Sequence, residues 1–250
     1  MAIEFTDAAD NYCNVARTDF ELQPPVCISA WVYMKSNVAG NGIWSMGQNS
    51  GLLCYQVGGS PGKVRMYVRE KTPIQWQYNE STNNINNNEW HHFLHVVFNF
   101  LEGVDTASFY LDGVIQESLN PGAYGGDINY VARENFAIGS YYSTFAYHSA
   151  DVIIEDFAIW NSDMDMGYGL DNKIQLLARS HRKRMPLQIE PENLMLYLPF
   201  DEANPGTDYE RGIVGASAFD WSGSGHNGTI VGVTNPTGAE GILTYPGDIL

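Results

Sequence analysis

Three histidines lie within five residues after a tryptophan and could act as metal ligands or proton carriers. They are His91, His92 and His95, after Trp90. On a β-strand His91 and His95 would share one face while His92 would face away. A zinc site needs three or four convergent ligands, and no Cys or carboxylate is placed to complete one. The pattern favours a packing role for these histidines.

Two adjacent carboxylates, Glu155 and Asp156, lie in a segment that is typical of a β-strand. Retaining glycosidases hold a catalytic acid and a nucleophile about 5–5.5 Å apart. Adjacent strand residues point to opposite sides of a sheet, so these two carboxylates cannot form such a pair. Asp151 shares the face of Glu155, but four residues along a strand separate them too far. We therefore predict that the chain is not an enzyme.

Five tyrosines in loop-rich segments could bind a sugar ring. They are Tyr124, Tyr130, Tyr141, Tyr142 and Tyr147. Exposed aromatic residues usually have a partner that packs on them. The partner could be a carbohydrate or a neighbouring subunit, and the sequence leaves both open.

The charge of the chain excludes one class of ligand. The 250 residues carry a formal net charge of -16, and such a field repels polyanions, so nucleic acid binding is disfavoured. The start of the chain has no basic segment followed by an apolar run, so we expect no secretory signal. No stretch is long and apolar enough to predict membrane insertion. The three cysteines, Cys13, Cys27 and Cys54, predict free thiols and synthesis in a reducing cytosol.

The elements that would position these residues are mostly β-strands. In residues 26–34, Ile28, Ala30 and Val32 share one face, as in a strand of a packed sheet. Residues 90–99 are apolar almost throughout, which predicts a central strand that is covered on both faces.

Turns and one helix complete the local pattern. Asp112-Gly113 predicts a tight hairpin turn. Residues 64–69 and 74–78 predict a strand pair. Residues 171–184 predict the one convincing helix, with its basic residues near the C-terminus.

Six strand phrases stand in a specific order, namely EFTDAADNY (4–12), CISAWVY (27–33), EWHHFLHVVF (89–98), SFYLDGV (108–114), FAIGS (136–140) and IIEDFAIWN (153–161). In this order they resemble the laminin-G-like, concanavalin A-type jelly-roll family. The resemblance implies an all-β, antiparallel jelly-roll sandwich over residues 1–165. It also implies that function resides on loops grafted onto this scaffold.

The remaining residues also resemble parts of that family. LMLYLPFDEANPGTDYERG (194–212) and AFDWSGSGHNGTIVG (218–232) resemble phrases that commonly precede a laminin-G-like domain, but here they follow it. This order resembles bacteriophage structural proteins. It implies that the helix, connector and C-terminal strands of residues 166–250 pack back on the same sandwich, as a single domain. By the same resemblance Asp220 begins a turn in which it caps backbone amides.

Calcium is a further expectation from the resemblance, because many relatives hold an ion at the rim of the sandwich. Asp7, Asp10 and Asn11 match the aspartate-rich opening of the family. Carboxylate and amide oxygens in a loop suit calcium. Thr6 and Ala8 replace the usual aspartate and glycine, and a solvated Asx turn is the alternative.

Together these features predict a non-enzymatic bacteriophage virion protein with a lectin-like fold, acting as a capsid decoration, tail or fibre component. We expect it to be made in the host cytoplasm and to contact other virion proteins, copies of itself and host-surface carbohydrate. One alternative is a calcium-dependent carbohydrate-binding module or adhesin. A glucan hydrolase is the other.

Overall fold

The computed structural model of the protein describes residues 3–6, 11–16, 25–35, 42–46, 52–57, 62–69, 76–85, 88–99, 105–116, 135–143, 146–162, 164, 170–181, 185–200 and 216–232. Within them the strands are β1 (Ile3–Phe5), β2 (Tyr12–Val15), β3 (Val26–Met34), β4 (Gly42–Ser45), β5 (Leu52–Gln56), β6 (Val64–Arg69), β7 (Trp76–Glu80), β8 (Trp90–Asn99), β9 (Asp105–Leu111), β10 (Val114–Ile115), β11 (Phe136–Ile138), β12 (Ser140–Ser143), β13 (Ala146–Ser149), β14 (Val152–Trp160), β15 (Leu194–Leu198), β16 (Ala216–Ala218) and β17 (Gly228–Val231). The α-helix α1 spans Leu170–Ala178, and short 3-10 helices span Met185–Gln188 and Pro191–Asn193.

Two sheets form the sandwich. The first has seven strands in the order β1-β14-β3-β8-β9-β10, with β15 also paired to β14. The second has ten strands in the order β16-β17-β2-β11-β4-β5-β6-β7, with the β12–β13 hairpin attached to β4. The β13–β4 contact is parallel, and the other described pairings are antiparallel. The predicted all-β, antiparallel sandwich with a short helix is confirmed.

Strand alternation builds the core between the sheets. Ile28, Ala30 and Val32 all face the central cluster, as their spacing predicts. On β8, Phe93 belongs to the central cluster and Leu94 to a second cluster on the outer side of the first sheet. Helix α1 and the first 3-10 helix pack against this outer cluster. The strand is therefore covered on both faces, as its continuous apolar sequence predicts.

The helix is shorter than predicted. It ends at Ala178 instead of continuing to residue 184, and no basic residue lies in its last turn. Ser180 Oγ donates a hydrogen bond to the carbonyl of Leu177, 2.9 Å away, and His181 then leaves the helix to pack on the first sheet. Tertiary packing of His181 overrides the local helical pattern. None of the helices in the part of the chain that the structure describes is long and apolar enough to cross a membrane.

The C-terminal strands join both sheets. β15 pairs with β14, and β17 pairs with β2. The Asp220 carboxylate accepts hydrogen bonds from the backbone amides of Tyr197, Ser222 and His226, each 2.9 Å long. The expected capping role of Asp220 is confirmed, and it ties the turn before β17 to β15.

Candidate functional site

A row of four tyrosines crosses the face of the second sheet that points away from the core. Tyr55 lies on β5, Tyr67 on β6, Tyr78 on β7 and Tyr141 on β12. We call this set the tyrosine row. All four are partly exposed. The ring centroids of Tyr55 and Tyr67 are 5.0 Å apart, and those of Tyr67 and Tyr78 are 5.1 Å apart. The rings therefore support one another across strands.

Alternation along β5 and β6 explains why these rings face outward. On β5, Leu52 and Cys54 belong to the central core. The residue that follows each of them, Leu53 and Tyr55 respectively, therefore points to the other face. Pairing then sets the neighbours, because β6 places Tyr67 directly opposite Tyr78 of β7. The row is a product of strand period and register.

Gly42 on β4 leaves room for the fourth tyrosine. Gly42 pairs with Tyr55, and a Cβ on it would lie 2.3 Å from the backbone nitrogen of Tyr141. The β12–β13 hairpin thus passes over β4 where β4 has no side chain. The Tyr141 ring lies 6.4 Å from that of Tyr55, and His148 stacks on Tyr141 at 4.9 Å.

Polar contacts fix the far end of the row. The Arg65 guanidinium lies over the Tyr78 ring, 4.2 Å from its centroid, and its Nε donates to Glu80 Oε2 at 2.6 Å. Arg65 also donates to the Tyr67 hydroxyl at 3.1 Å, and that hydroxyl is 2.8 Å from the hydroxyl of Tyr55. Burial, followed by the hydrogen bond to Tyr55, raises the pKa of Tyr67 to about 12. Tyr67 is therefore a neutral phenol at physiological pH.

The row lines an open concavity. Its volume is about 490 Å³, and the residues around it are Leu53, Tyr55, Tyr67, Tyr78 and Tyr141. This volume falls within the range of small-molecule sites, and apolar rings with a few fixed polar groups are typical of them. The arrangement can hold the apolar face of a ligand while phenol groups meet its hydroxyls.

The predicted aromatic residues have different outcomes. Tyr141 belongs to the tyrosine row. Tyr142 and Tyr147 pair across the β12–β13 hairpin, and the structure describes their backbone only. Tyr124 and Tyr130 lie outside the described residues, so their binding role stays a prediction.

Three members of the row were not predicted as binding residues from the sequence, namely Tyr55, Tyr67 and Tyr78. The available signal was alternation, because LLCYQ and VRMYVR place a tyrosine at a solvent-facing position of each strand. A large aromatic residue where a strand normally presents a polar one indicates a contact surface.

The predicted calcium ligands are described only in part. Asp7 and Asp10 lie outside the described residues. Asn11 is buried, its Nδ2 donates to Thr6 Oγ1 at 2.7 Å, and its carbonyl accepts a 2.7 Å bond from Ser149 Oγ. Among the residues that the structure describes, no three His, Cys, Asp or Glu side chains converge as a metal site would need. Asn11 has a structural role, and calcium binding stays a prediction.

The histidines of β8 divide across the strand as predicted. His95 pairs with Ile28 of the core, whereas His92 lies beside Trp31, with ring centroids 5.4 Å apart. His92 Nε2 shares a 2.8 Å hydrogen bond with Ser29 Oγ, and His91 Nδ1 donates to Asp112 Oδ2 at 2.7 Å. Burial lowers the pKa of both His92 and His95 to about 3.

The adjacent carboxylates do not alternate as predicted. Asp156 has a left-handed backbone, with φ 52, at a β-bulge that shifts the pairing of β14 with β3. Its Oδ1 accepts a 2.6 Å bond from the hydroxyl of Tyr197, a member of the outer cluster, so it does not extend into the central core. The expectation that Glu155 and Asp156 face opposite sides is wrong, because the bulge interrupts the period of two.

Glu155 is paired with His181, which follows helix α1. The side chain of Glu155 is 2% exposed and that of His181 is 7% exposed, and His181 Nε2 is 2.7 Å from Glu155 Oε2. His181 also stacks on Trp31 at 4.4 Å and lies 4.5 Å from Trp90. These contacts bury the carboxylate beneath a packed ring.

Solved structures resemble the fold at low sequence identity. A proposed carbohydrate-binding protein from Bacteroides ovatus matches with TM-score 0.60 and 16% identity, over 90% of this chain and 58% of that one. A heptameric SAP-like pentraxin from Limulus polyphemus matches with TM-score 0.49 and 11% identity, over 73% and 83%. Tailspike protein 2 of Escherichia coli O157:H7 bacteriophage CAB120 matches with TM-score 0.45 and 10% identity, over 74% and 25%. This chain thus spans 58% of the Bacteroides ovatus structure and a quarter of the tailspike.

The sequence itself identifies the family. No curated protein matches it. A family model described as the concanavalin A-like lectin/glucanases superfamily matches residues 7–166, well over half of the chain. The match agrees with the strand phrases and with the two antiparallel sheets. The chain therefore belongs to the concanavalin A-like lectin/glucanases superfamily.

Proposed function

We propose that the protein is a carbohydrate-binding module and that the tyrosine row is its binding surface. The observation that carries the proposal is the line of four contacting tyrosines beside an open concavity of about 490 Å³. A sugar ring has one face of C–H groups that packs on an aromatic ring and a rim of hydroxyls that needs hydrogen-bond partners. The tyrosines offer both kinds of contact.

The rings are already held in place before a ligand arrives. Tyr67 is fixed by hydroxyl contacts to Tyr55 and Arg65, and Tyr78 is covered by the Arg65 guanidinium. Ordering a side chain on binding costs about 0.5–1.5 kcal/mol, so fixed rings save that cost. The family membership and the Bacteroides ovatus protein of similar fold, proposed to bind carbohydrate, support the same function.

A glycan array followed by calorimetry tests the proposal. Wild-type protein should bind at least one glycan, and Tyr67→Ala should weaken it by roughly tenfold, the loss of about 1.4 kcal/mol of ring contact. Phe219→Ala is a matched control, because Phe219 is an aromatic residue exposed outside the row, at 54%. No glycan bound by the wild type would reject the proposal, as would equal binding by Tyr67→Ala and Phe219→Ala.

Binding without hydrolysis is the second part of the proposal. Of the residues that the structure describes, none that lines the concavity is a carboxylate, and the nearby Glu80 is paired with Arg65. Glu155 is buried on the other sheet against His181. The glycan that binds should therefore be recovered intact after prolonged incubation. New reducing ends that disappear in Glu155→Gln would overturn this part.

We further propose that the protein works as a component of a bacteriophage virion, assembled in the host cytoplasm beside other virion proteins and further copies of itself. The support is the order of three parts of the sequence, namely the laminin-G-like phrases, the connector MPLQIEPEN (185–193) and the LYLPFD segment (196–201). This order resembles that in phage structural proteins. A net charge of -16 would also keep dense copies soluble. Mass spectrometry and electron microscopy of purified particles test this setting, and absence from the particles would reject it.

A further inference from the structure

Two hydroxyl groups at the centre of the tyrosine row form a hydrogen-bonded series that begins at a cation. Arg65 Nη1 donates to the Tyr67 hydroxyl at 3.1 Å, and the Tyr67 hydroxyl lies 2.8 Å from that of Tyr55. We call Arg65 and these two hydroxyls the hydroxyl relay. Arg65 Nε also donates to Glu80 Oε2 at 2.6 Å, so the planar guanidinium is held in one orientation. The first donor of the relay is therefore fixed in place.

The chemistry of arginine gives the relay a direction. A guanidinium has N–H donors and no acceptor, so the Tyr67 oxygen must accept from Arg65. A charged donor draws electron density from that oxygen, which makes the Tyr67 hydrogen a stronger donor and the oxygen a weaker second acceptor. This favours donation from Tyr67 to Tyr55. The pKa of Tyr67, raised to about 12 by burial and then by the hydrogen bond to Tyr55, agrees with a proton that stays on Tyr67.

Tyr55 then has a hydrogen that the relay does not use. A phenol carries a single hydrogen, and because the Tyr55 oxygen accepts from Tyr67, its own hydrogen remains to be donated. Among the residues that the structure describes, Tyr67 is the only hydrogen-bond partner of the Tyr55 hydroxyl. Tyr55 lines the open concavity. A ligand in the concavity can supply the acceptor for this hydrogen.

On the basis of the proposed function, we infer that Tyr55 is a specificity-determining residue whose hydroxyl donates a hydrogen bond to an acceptor oxygen of the ligand. Arg65 and the Tyr67 hydroxyl are positioning groups, because they act on the ligand through the direction of the Tyr55 hydroxyl. Hydroxyl, ether and carbonyl oxygens of a ligand all meet this requirement. A protonated amine does not, since it has no lone pair to accept the hydrogen.

Calorimetry on variants that lack single hydroxyls tests the inference, with the array glycan that binds the wild type most tightly as the probe. Tyr55→Phe keeps the ring and should weaken binding about three- to tenfold, the loss of one hydrogen bond. Tyr67→Phe should weaken binding about twofold, because Tyr55 keeps its hydrogen but loses the group that orients and polarises it. In the double variant the loss should equal that of Tyr55→Phe alone.

Tyr78→Phe is the matched control, because the described contacts of Tyr78 within the row are made by its ring. Its effect on affinity, whatever the size, should multiply with that of Tyr55→Phe, as expected for groups that act independently. Neutron diffraction on the free wild-type protein adds a readout that needs neither a ligand nor a variant. The deuterium between the two relay hydroxyls should be bonded to the Tyr67 oxygen.

Three results would overturn the inference. They are a deuterium on Tyr55 that points to Tyr67, an unchanged affinity in Tyr55→Phe, and a further loss when Tyr67→Phe is added to Tyr55→Phe. If Tyr67→Ala still weakened binding in any of these cases, the proposed function would stand without the inference. Absence of binding to every glycan of the array would reject the proposed function and the inference with it.

Discussion

Gly42 lies directly beneath the backbone of Tyr141. A Cβ at Gly42 would come within 2.3 Å of the Tyr141 nitrogen and 2.5 Å of its Cβ. Both atoms belong to rigid parts of the chain, so a side chain at this position would have to displace the hairpin. Through this contact, a residue that makes no ligand contact itself sets the position of one end of the tyrosine row.

Gly42→Ala should therefore weaken glycan binding and stability together. Overpacking of this kind costs about 1–3 kcal/mol, which urea denaturation would measure. The displaced hairpin should reduce affinity about as much as Tyr141→Ala does, because both changes remove the Tyr141 ring from the row. In the double variant the two binding losses should not add, as expected for residues that act through one contact. Additive losses would show that Gly42 acts by another route.

The Tyr67 hydroxyl and the Tyr67 ring should make separable contributions. Tyr67→Phe keeps the ring but removes the partner that both Arg65 and Tyr55 contact. We expect it to cost about 0.5–1.5 kcal/mol of stability and to weaken glycan binding less than Tyr67→Ala does. Denaturation and calorimetry on the two variants check this. Equal binding losses in Phe and Ala variants would mean that the hydroxyl, and not the ring, holds the ligand.

Strand period and turn residues predicted individual strands and one hairpin, whereas the sandwich was implied by the resemblance of the ordered strand phrases to a known family. The face of β3 that meets the central core follows from the alternation of Ile28, Ala30 and Val32. The opposite face, which carries Cys27 and Tyr33, is buried in other clusters. The hairpin turn at Asp112-Gly113 was also predicted from the sequence, because this pair of residues tolerates positive φ. Both residues adopt positive φ in the structure. These features depend on neighbours in sequence.

The candidate site was harder to predict because it depends on distant contacts. Tyr67 meets Tyr78 only through the register of β6 with β7, and Tyr141 joins the row only because its hairpin crosses Gly42. The helix end was missed for a similar reason. His181 leaves the helical path to stack on Trp31 and bond Glu155, and no local pattern indicates those partners.

Acid should destabilise the protein through its buried histidines. Burial holds the folded-state pKa of His92 and of His95 at about 3, below the usual histidine pKa of 6.5. The unfolded chain therefore binds more protons between pH 6.5 and 3, and stability falls as pH decreases through that window. At pH 5 each histidine should lower the free energy of unfolding by on the order of 2 kcal/mol relative to pH 8. Urea denaturation across this range measures the slope.

His95→Leu separates the contribution of His95 to the acid sensitivity from that of His92. The ring nitrogens of His95 have no hydrogen-bond partner among the described residues, so an apolar side chain should cost little at pH 8. The variant should lose about half of the acid sensitivity that the two histidines contribute. A pH profile that is identical in His95→Leu and the wild type would contradict the role of this histidine.

Asp220 should control the docking of the C-terminal strands. Its carboxylate accepts hydrogen bonds from the Tyr197, Ser222 and His226 amides. In Asp220→Ala these amides lose that acceptor and must bond to water or remain unsatisfied. We expect a loss of about 2–3 kcal/mol and faster amide hydrogen exchange in β17. Asp220→Asn is the matched control, because it keeps one acceptor oxygen and should lose less.

The same variant tests whether residues 166–250 fold as one unit with the sandwich. β17 pairs with β2, and a Cβ at Gly228 would lie 2.4 Å from the Cys13 sulfur, so this pairing is close. If the chain is a single cooperative domain, Asp220→Ala should shift one unfolding transition to lower urea without dividing it. Two transitions, the first confined by hydrogen exchange to β15–β17, would show instead that the C-terminal strands unfold separately from the sandwich.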